Sequence, residues 1–138
     1  MNEKEITNLA ENGNLNVLRK TYFVQAENAF INNPNYSIYD KLVYLSLQTF
    51  AGSIDNCYPS KGSLAKNLNL SVKTIERTLF SLEKNDGILI INRIKESGRK
   101  TSNLYILADI DKYTGNFIPE SLDQFRILKK RTITVRGK

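Results

Sequence analysis

The side chains best suited to specific polar contacts lie between residues 71 and 84: Ser71, Lys73, Thr74, Arg77 and Lys84. At 100° per residue, Lys73, Arg77 and Lys84 fall on one face of a helix, with the hydroxyls of Thr74 and Ser81 alongside. A guanidinium can donate two parallel hydrogen bonds to a guanine edge, whereas ammonium and hydroxyl groups hold phosphates. The pattern is compatible with insertion into a DNA groove, and equally with an ordinary surface helix whose charges are solvated.

A second basic group follows directly. Ile88 to Ile94 and Asn103 to Leu107 are β-prone runs, and Ser97-Gly98 lies between them at a predicted hairpin tip. This hairpin carries four cations: Arg93, Lys95, Arg99 and Lys100. A basic hairpin beside a groove-binding helix can reach the adjacent minor groove or the phosphate backbone. The alternative is an exposed turn that its charge keeps soluble.

The sequence has few of the residue types and motifs that enzymes use for catalysis. Histidine is absent and Cys57 is the single cysteine, which excludes His-based triads, Cys–His dyads and zinc sites built on His or several Cys. No paired carboxylates, phosphate-cradling glycine-rich loop or nucleophile–base pair is recognisable, and Glu76 and Glu83 are interpreted as solvated charges. We therefore expect no enzyme activity, no metal and no cofactor. Cys57 is expected to be a small buried apolar residue rather than a reactive thiol.

Size and composition indicate one globular domain of 138 residues, with 41 % apolar and 25 % charged side chains. No apolar run approaches the ~18 residues that a membrane span needs. The polar start, MNEKEITNLAENGN, is unlike a signal peptide. With a single cysteine, these features predict a cytoplasmic protein that does not contact a membrane.

The positive charge is unevenly distributed. Residues 1–58 carry four basic and six acidic side chains, residues 59–108 nine and four, and residues 109–138 seven and four. The overall charge of +6 therefore comes from the second and third segments, which is typical of a surface that binds a polyanion.

Three helices are predicted to position the basic residues. Residues 37–50 begin with a capping-box pair, Ser37 and Asp40, and an inward stripe of Ile38, Leu42, Val43 and Leu45. Residues 60–68 begin at Pro59-Ser60, where Ser60 is both a cap and a candidate DNA contact, and face inward through Leu64, Ala65 and Leu68. Residues 71–85 begin at Ser71 and bury Val72, Ile75, Leu79 and Leu82. Asn69 is predicted in the left-handed conformation at the turn between the last two, and Asp86-Gly87 is predicted to close the third helix.

Phe80 interrupts the polar face of the 71–85 helix, close to Lys73. An aromatic residue on such a face usually indicates that another element covers it. We expect the terminal helix or a second subunit to pack on Phe80, in preference to a DNA contact.

The remaining segments are less patterned. Residues 1–16 are predicted to fray or to form a short helix around Lys4–Glu11, and Thr21 to Val24 to form a strand. Phe30 and Ile31 are predicted core anchors, before a loop at 32–35. Residues 119–130 are predicted to form an amphipathic helix burying Leu122, Phe125 and Leu128. The basic tail beyond it is expected either to add phosphate contacts or to be disordered.

The central stretch resembles a known family, the winged-helix domain at the N-terminus of plasmid replication initiators of Gram-positive bacteria and of related phage and primosomal replication proteins. The resemblance covers residues 22–108. The matching residues are Tyr58-Pro59-Ser60, Leu64-Ala65, Leu68, Ser71, Thr74-Ile75, Arg77, Leu79, Leu82, Gly87-Ile88, Thr101-Ser102-Asn103-Leu104-Tyr105 and, before them, Lys41-Leu42-Val43-Tyr44-Leu45. Many members continue into a further domain that contacts other replication proteins, whereas residues 109–138 follow the wing here.

The predicted fold is α+β, a winged helix-turn-helix domain over residues 17–108, with 1–16 before it and a loop, short helix and basic tail at 109–138. The resemblance implies double-stranded DNA as ligand, often bound by homodimers on repeats, and replication proteins as further partners. We expect Lys73, Thr74 and Arg77 to face bases, Ser71 and Lys84 to contact phosphates, and Arg99 and Lys100 to make the wing contact. The alternatives are a transcription repressor, a plasmid-partition adaptor, and a winged-helix module that binds protein instead.

Overall fold

The computed structural model describes residues 2–12, 26–52, 54–130 and 132–136. Its α-helices are α1 (Glu3–Glu11), α2 (Asn28–Ile31), α3 (Ile38–Ala51), α4 (Lys61–Leu68), α5 (Val72–Lys84) and α6 (Arg126–Lys129). Its strands are β1 (Asn56–Cys57), β2 (Ile88–Ile91), β3 (Arg93–Lys95), β4 (Leu104–Leu107), β5 (Asp109–Ile110), β6 (Phe117–Ile118) and β7 (Ile133–Val135), and a 3-10 helix spans Pro119–Phe125. This mixture confirms the α+β class. The predicted strand at 21–24 lies outside the described residues.

Helix α3 begins at the predicted capping box. The Asp40 backbone N–H donates to Ser37 Oγ over 3.1 Å, and the Ser37 N–H donates to Asp40 Oδ2 over 3.4 Å. Only part of its predicted inward stripe is correct. Val43 is fully buried, whereas Ile38 is 67 % exposed and Leu42 is also exposed.

The buried face of α3 instead carries Val43, Tyr44, Leu47 and Ala51. Tyr44 donates its hydroxyl to the carbonyl of Ala108, which joins the helix to the end of β4. Apolar residues occur on nearly every side of α3, so periodicity alone could not select the buried face. Packing against α5, β1, α4 and β4 selects it.

Three strands form an antiparallel sheet in the order β1-β4-β2. In its register, Ile90 is opposite Tyr105 and Ile106 is paired with both Leu89 and Asn56. The sheet packs against α3 and α5 and also against α6 and the 3-10 helix, and Ile88, Ile91, Tyr105 and Ile106 are all buried. The predicted strand 88–94 is interrupted at Asn92, beyond which β3 leaves this sheet.

The chain ends form a second structural unit against β2 and β3. Strand β7 pairs in parallel with β3, so that Ile94 is opposite Thr134, and Ile133 and Val135 are buried. The alternative of a disordered tail is therefore wrong for residues 133–135, and the phosphate contacts of its basic residues stay a prediction. Helix α1 packs on β7, α6 and the 3-10 helix through Ile6 and Ala10, so the expectation of a frayed start is wrong as well.

The predicted helix at 119–130 is two shorter pieces, the 3-10 helix and α6. Leu122, Phe125 and Leu128 are buried as predicted. Residues 109–130 and 132–136, which we call the C-terminal segment, also contain a small antiparallel pair, β5 and β6. Phe117 in β6 completes an aromatic cluster with Phe30, Tyr36 and Tyr44, with ring centroids 4.6 to 5.8 Å apart. Ile31, the other predicted anchor, is exposed.

Candidate nucleic-acid interface

Helices α4 and α5 are joined by a tight turn. Asn69 ends α4 in the left-handed conformation with φ 55°, as predicted. The Asn69 N–H donates to the Lys66 carbonyl over 3.4 Å, and the Leu70 N–H donates to the Ala65 carbonyl over 3.0 Å. These two bonds form a Schellman motif, which satisfies carbonyls at the end of the helix. Ser71 then starts α5 after only two residues, so the angle between the helices is set locally.

Ser60 and Ser71 are helix caps. Ser60 Oγ accepts from the Ser63 N–H over 3.0 Å, and Ser71 Oγ accepts from the Thr74 N–H over 3.1 Å. The hydroxyls of Ser71 and Thr74 also lie 2.8 Å apart. Both serines are exposed, while Thr74 is half-buried. The geometry thus gives these residues a structural role, and their predicted DNA contacts stay a prediction.

The core face of α5 agrees with the sequence except at one position. Ile75, Leu79 and Leu82 are buried, together with Thr78, whose hydroxyl donates to the Thr74 carbonyl over 2.7 Å. Val72 is 45 % exposed and is not a core residue. It occupies the first turn of α5.

Lys73, Arg77 and Lys84 are all exposed on the opposite face of α5. None of them forms an ion pair with a described residue. Lys73, Thr74 and Arg77 share the N-terminal half, whereas Lys84 lies ~16 Å farther along the axis than Lys73, from the helical rise of 1.5 Å per residue. The structure therefore groups Ser71, Lys73, Thr74 and Arg77, and places Lys84 at the other end.

Helix α5 ends in a second Schellman motif. The Gly87 N–H donates to the Leu82 carbonyl over 2.8 Å, and the Asp86 N–H donates to the Glu83 carbonyl over 3.1 Å. Asp86, not Gly87, adopts the left-handed conformation, with φ 61°. Gly87 serves another purpose, because a Cβ there would lie 2.6 Å from the Phe117 ring.

The basic residues after α5 lie on a tight hairpin, residues 93–101, which we call the basic hairpin. The Lys95 N–H donates to the Arg99 carbonyl over 2.8 Å, and the Gly98 N–H donates to the Lys95 carbonyl over 2.8 Å. Gly98 has φ 86°, which places the turn where the sequence predicted it. Arg99 and Lys100 are exposed on the returning strand, whereas Lys95 is half-buried in β3.

Arg93 is held at the base of the basic hairpin. Its guanidinium lies 4.7 Å from the centroid of the Tyr58 ring, and its Nη1 donates to the Ser102 carbonyl over 3.3 Å. Desolvation by burial lowers the pKa of Arg93. The guanidinium remains protonated at neutral pH because its ordinary pKa is far higher. The Tyr58 contact, which sequence reasoning missed, connects the start of α4 to the hairpin.

Of the two acidic residues of α5 that were interpreted as solvated charges, Glu76 is exposed, whereas Glu83 is engaged within the fold. Glu76 pairs with Lys61 of α4 over 3.3 Å. Glu83 Oε2 accepts from the Ile90 N–H over 2.8 Å and from Lys129 Nζ over 2.9 Å. Ser81 also donates to Asp40 Oδ2 over 3.3 Å. These contacts hold α5 against α4, β2, the C-terminal segment and α3, and leave its basic face outward.

Phe80 lies on that outward face and is 69 % exposed. The expectation that the terminal helix covers it is wrong. The 3-10 helix and α6 pack instead on α1, β2 and β4. Phe80 shares its surface with Lys73, Arg77 and Lys84, at helical spacings of seven, three and four residues.

Comparison with known proteins agrees with this geometry. Residues 37–86 match a family model described as a helix-turn-helix domain. The match begins at the Ser37 cap, contains α3, α4 and α5, and ends on Asp86. No curated protein and no solved structure matches the chain. The chain therefore contains a helix-turn-helix domain, and this class of domain indicates DNA as its ligand.

Two further findings bear on the kind of site. Among the described residues, no helix is long and apolar enough to cross a membrane. Nor do those residues bring together three or more His, Cys, Asp or Glu side chains that could hold a metal ion.

Proposed function

We propose that the chain is a sequence-specific protein for double-stranded DNA, which binds as a winged helix-turn-helix: α5 enters the major groove, and the basic hairpin is the wing. The observation that carries this proposal is the outward face of α5. Lys73 and Arg77 are exposed there without an ion pair to any described residue, next to the capped N-terminus of the helix. The N-terminal residues of such a helix are those that contact base edges in helix-turn-helix complexes.

The basic hairpin supports the same mode of binding. Arg99 and Lys100 are exposed on a turn that β3 and the Tyr58–Arg93 contact hold in place. A cationic hairpin beside the helix extends the contact to a neighbouring groove or to phosphates. Within this proposal Lys73, Thr74 and Arg77 face bases, and Arg99 and Lys100 form the wing contact. The residues that contact the phosphate backbone of the DNA, or orient the residues that do, are Ser60, Ser71, Lys84, Arg93 and Lys95.

We further propose that this DNA binding serves replication initiation, or its control, on a plasmid or other mobile element in the cytoplasm. The support is the resemblance of residues 22–108 to the winged-helix domain of plasmid replication initiators. Homodimers on repeated sites and contacts with replication proteins are part of the same proposal, and no catalytic step is assigned to the chain. Transcription repression and plasmid partition use the same module, and they differ in where the bound site lies.

Selection of bound fragments from random DNA tests the proposal. We expect one enriched sequence whose symmetry and spacing report the oligomeric state, followed by a footprint at a replication origin. A footprint confined to a promoter or to a centromere-like repeat would move the role to repression or partition. Titration with random DNA at two salt concentrations is the control, because contacts with phosphates weaken steeply with salt. No binding even at low salt would instead favour a protein-interaction module.

A further inference from the structure

The aromatic ring of Phe80 is the least expected feature of the DNA-facing surface. It is 69 % exposed, three residues after Arg77 and four before Lys84, in line with the cations of α5. An apolar ring at this exposure gains free energy if a ligand covers it, at about 25 cal/mol per Å². The charged groups around it restrict which ligand can do so.

A second copy of the chain fits this surface poorly. In a twofold contact centred on this surface, the same patch occurs on both subunits, so Phe80 would lie close to Phe80 of the second copy. Lys73, Arg77 and Lys84 of one subunit would then face the same cations of its partner. None of the three is neutralised by an ion pair with the described residues. Like charges brought together in this way are repelled, which disfavours the homodimer contact expected from the sequence.

The major groove of DNA satisfies both parts of the surface. Its phosphates complement the cations, and the 5-methyl group of each thymine projects into it as an apolar contact for side chains such as Phe. Along α5, Phe80 lies ~4.5 Å beyond Arg77, from the rise of 1.5 Å per residue. That distance is comparable to the ~3.4 Å spacing of bases along a strand.

We propose that Phe80 is a specificity residue that contacts the 5-methyl group of a thymine, one or two base pairs from the base that Arg77 contacts. This inference rests on the proposed function, because it requires α5 to lie in the major groove. It predicts sensitivity to the 5-methyl group of a thymine at one position of the site, which hydrogen bonding by Lys73 or Arg77 would not produce. A 5-methylcytosine at that position offers the same methyl group.

The test replaces each thymine of the selected DNA site, one at a time, by deoxyuridine, which removes the methyl group and keeps the base-pairing edge. The wild-type chain should lose affinity about fourfold at one position, the equivalent of one buried methyl group. The variant Phe80→Ala should bind the thymine site at least as weakly as the wild type binds the uridine site, because it loses the ring as well as the methyl contact, and it should not distinguish the two sites. Ile38→Ala is the matched control, because Ile38 is a similarly exposed apolar residue on α3, and it should retain the methyl preference.

Several outcomes overturn the inference. They are a site without thymine, a wild-type chain indifferent to every uridine substitution, and a Phe80→Ala variant that keeps the methyl preference. Phe80→Leu, which retains an apolar group, guards against misfolding and should keep part of the preference. Sedimentation of Phe80→Ala supplies an independent readout, and dissociation of a dimer would assign Phe80 to subunit contact and overturn the inference. If the wild type binds no DNA at low salt, the proposed function itself fails, and this result is distinct from DNA binding without methyl sensitivity.

Discussion

Two basic regions of this molecule use the same kinds of side chain in opposite ways. On α5 and the basic hairpin, Lys73, Arg77, Lys84, Lys95, Arg99 and Lys100 form no ion pair with any described residue. In the C-terminal segment, Arg126 pairs with Asp123 over 3.0 Å and with Asp86 over 3.6 Å, and Lys129 pairs with Glu83 over 2.9 Å. The first set is available to a polyanion, and the second is engaged within the fold. Basic composition alone therefore does not identify the binding surface.

The difference arises from what lies opposite each cation. Lys129 Nζ also donates to the Ile90 carbonyl over 2.8 Å, so the C-terminal segment is attached to β2 through a side chain as well as through its apolar residues. Arg126 reaches Asp86, the residue that ends α5. The paired cations of the C-terminal segment thus position the end of α5, while the unpaired cations remain on its free face. Variants in each region should separate stability from DNA affinity.

The largest effect is expected from Leu128→Ala. Leu128 is fully buried in α6, which packs on β2 and α1. Truncating a buried leucine typically costs about 2–5 kcal/mol of stability. Urea unfolding should show that loss, while the DNA affinity of the folded fraction stays close to wild type. Reduced affinity without reduced stability would contradict a purely structural role for the C-terminal segment.

Arg77→Ala should weaken binding to the selected site by about 1–3 kcal/mol if Arg77 reads a base. The free energy of unfolding should hardly change, because Arg77 is exposed and has no ion pair with the described residues. Anisotropy titration on the selected site and on random DNA measures the two affinities. An equal loss on both would show that Arg77 only holds phosphate. Arg126→Ala is the matched control and should lower stability with little effect on affinity.

The pH dependence of the free energy of unfolding tests whether Cys57 is buried in the core beneath the helix-turn-helix region. Burial raises the pKa of Cys57 from 9.0 to about 12. The thiol of the unfolded chain ionises at its ordinary pKa, while the folded thiol stays neutral. The stability that burial of the neutral thiol contributes is therefore fully present below pH 9 and falls as the pH rises toward 12. Between pH 8 and pH 10 the wild type should lose about 1 kcal/mol more than Cys57→Ala, at 1.36 kcal/mol per pKa unit. Parallel pH curves for the two chains would show that the thiol is not desolvated. Burial also raises the pKa of Tyr105 to about 12. Tyr105 is present in both chains, so it adds the same pH dependence to both stability curves.

The smallest effects should distinguish two lysines. Lys100→Ala should reduce the salt dependence of DNA binding by about one counterion and leave stability unchanged, because Lys100 is exposed on the basic hairpin. Lys129→Ala should cost about 0.2–1 kcal/mol of stability, as its pair with Glu83 is partly exposed, and leave the salt dependence unchanged. Affinities at several salt concentrations, with urea unfolding of both variants, measure these differences. If Lys129→Ala reduced the salt dependence and Lys100→Ala reduced the stability, the roles assigned to the two regions would be reversed.

Local features of the helix-turn-helix region were predictable from the sequence. The caps at Ser37, Ser60 and Ser71 and the left-handed Asn69 depend on residues within four positions of each other, and the structure confirms them. The basic hairpin was located by Ser97-Gly98 for the same reason. The predicted core face was partly wrong for α3, which is apolar on several sides, and at Val72, which is exposed in the first turn of α5.

Contacts between distant parts of the chain could not be predicted from local sequence patterns. The pairing of β3 with β7 joins Ile94 to Thr134, and no turn signal or short loop specifies a parallel partner forty residues away. The aromatic cluster of Phe30, Tyr36, Tyr44 and Phe117 assembles from distant parts of the chain. The Lys129 partner of Glu83 belongs to the same class, because the C-terminal segment brings it there from a distant part of the chain.

The sequence by itself determined the helix starts, the turn after α4, and a candidate set of cations on α5 and the basic hairpin. These follow from capping, from left-handed residues and from helical periodicity, which act over one or two turns of chain. Only the tertiary structure decided which cations stay free, because pairing depends on the acid that packing brings opposite each one. The same packing left Phe80 uncovered by placing the C-terminal segment on β2. The proposed binding surface is therefore encoded locally, and its availability is decided by the fold.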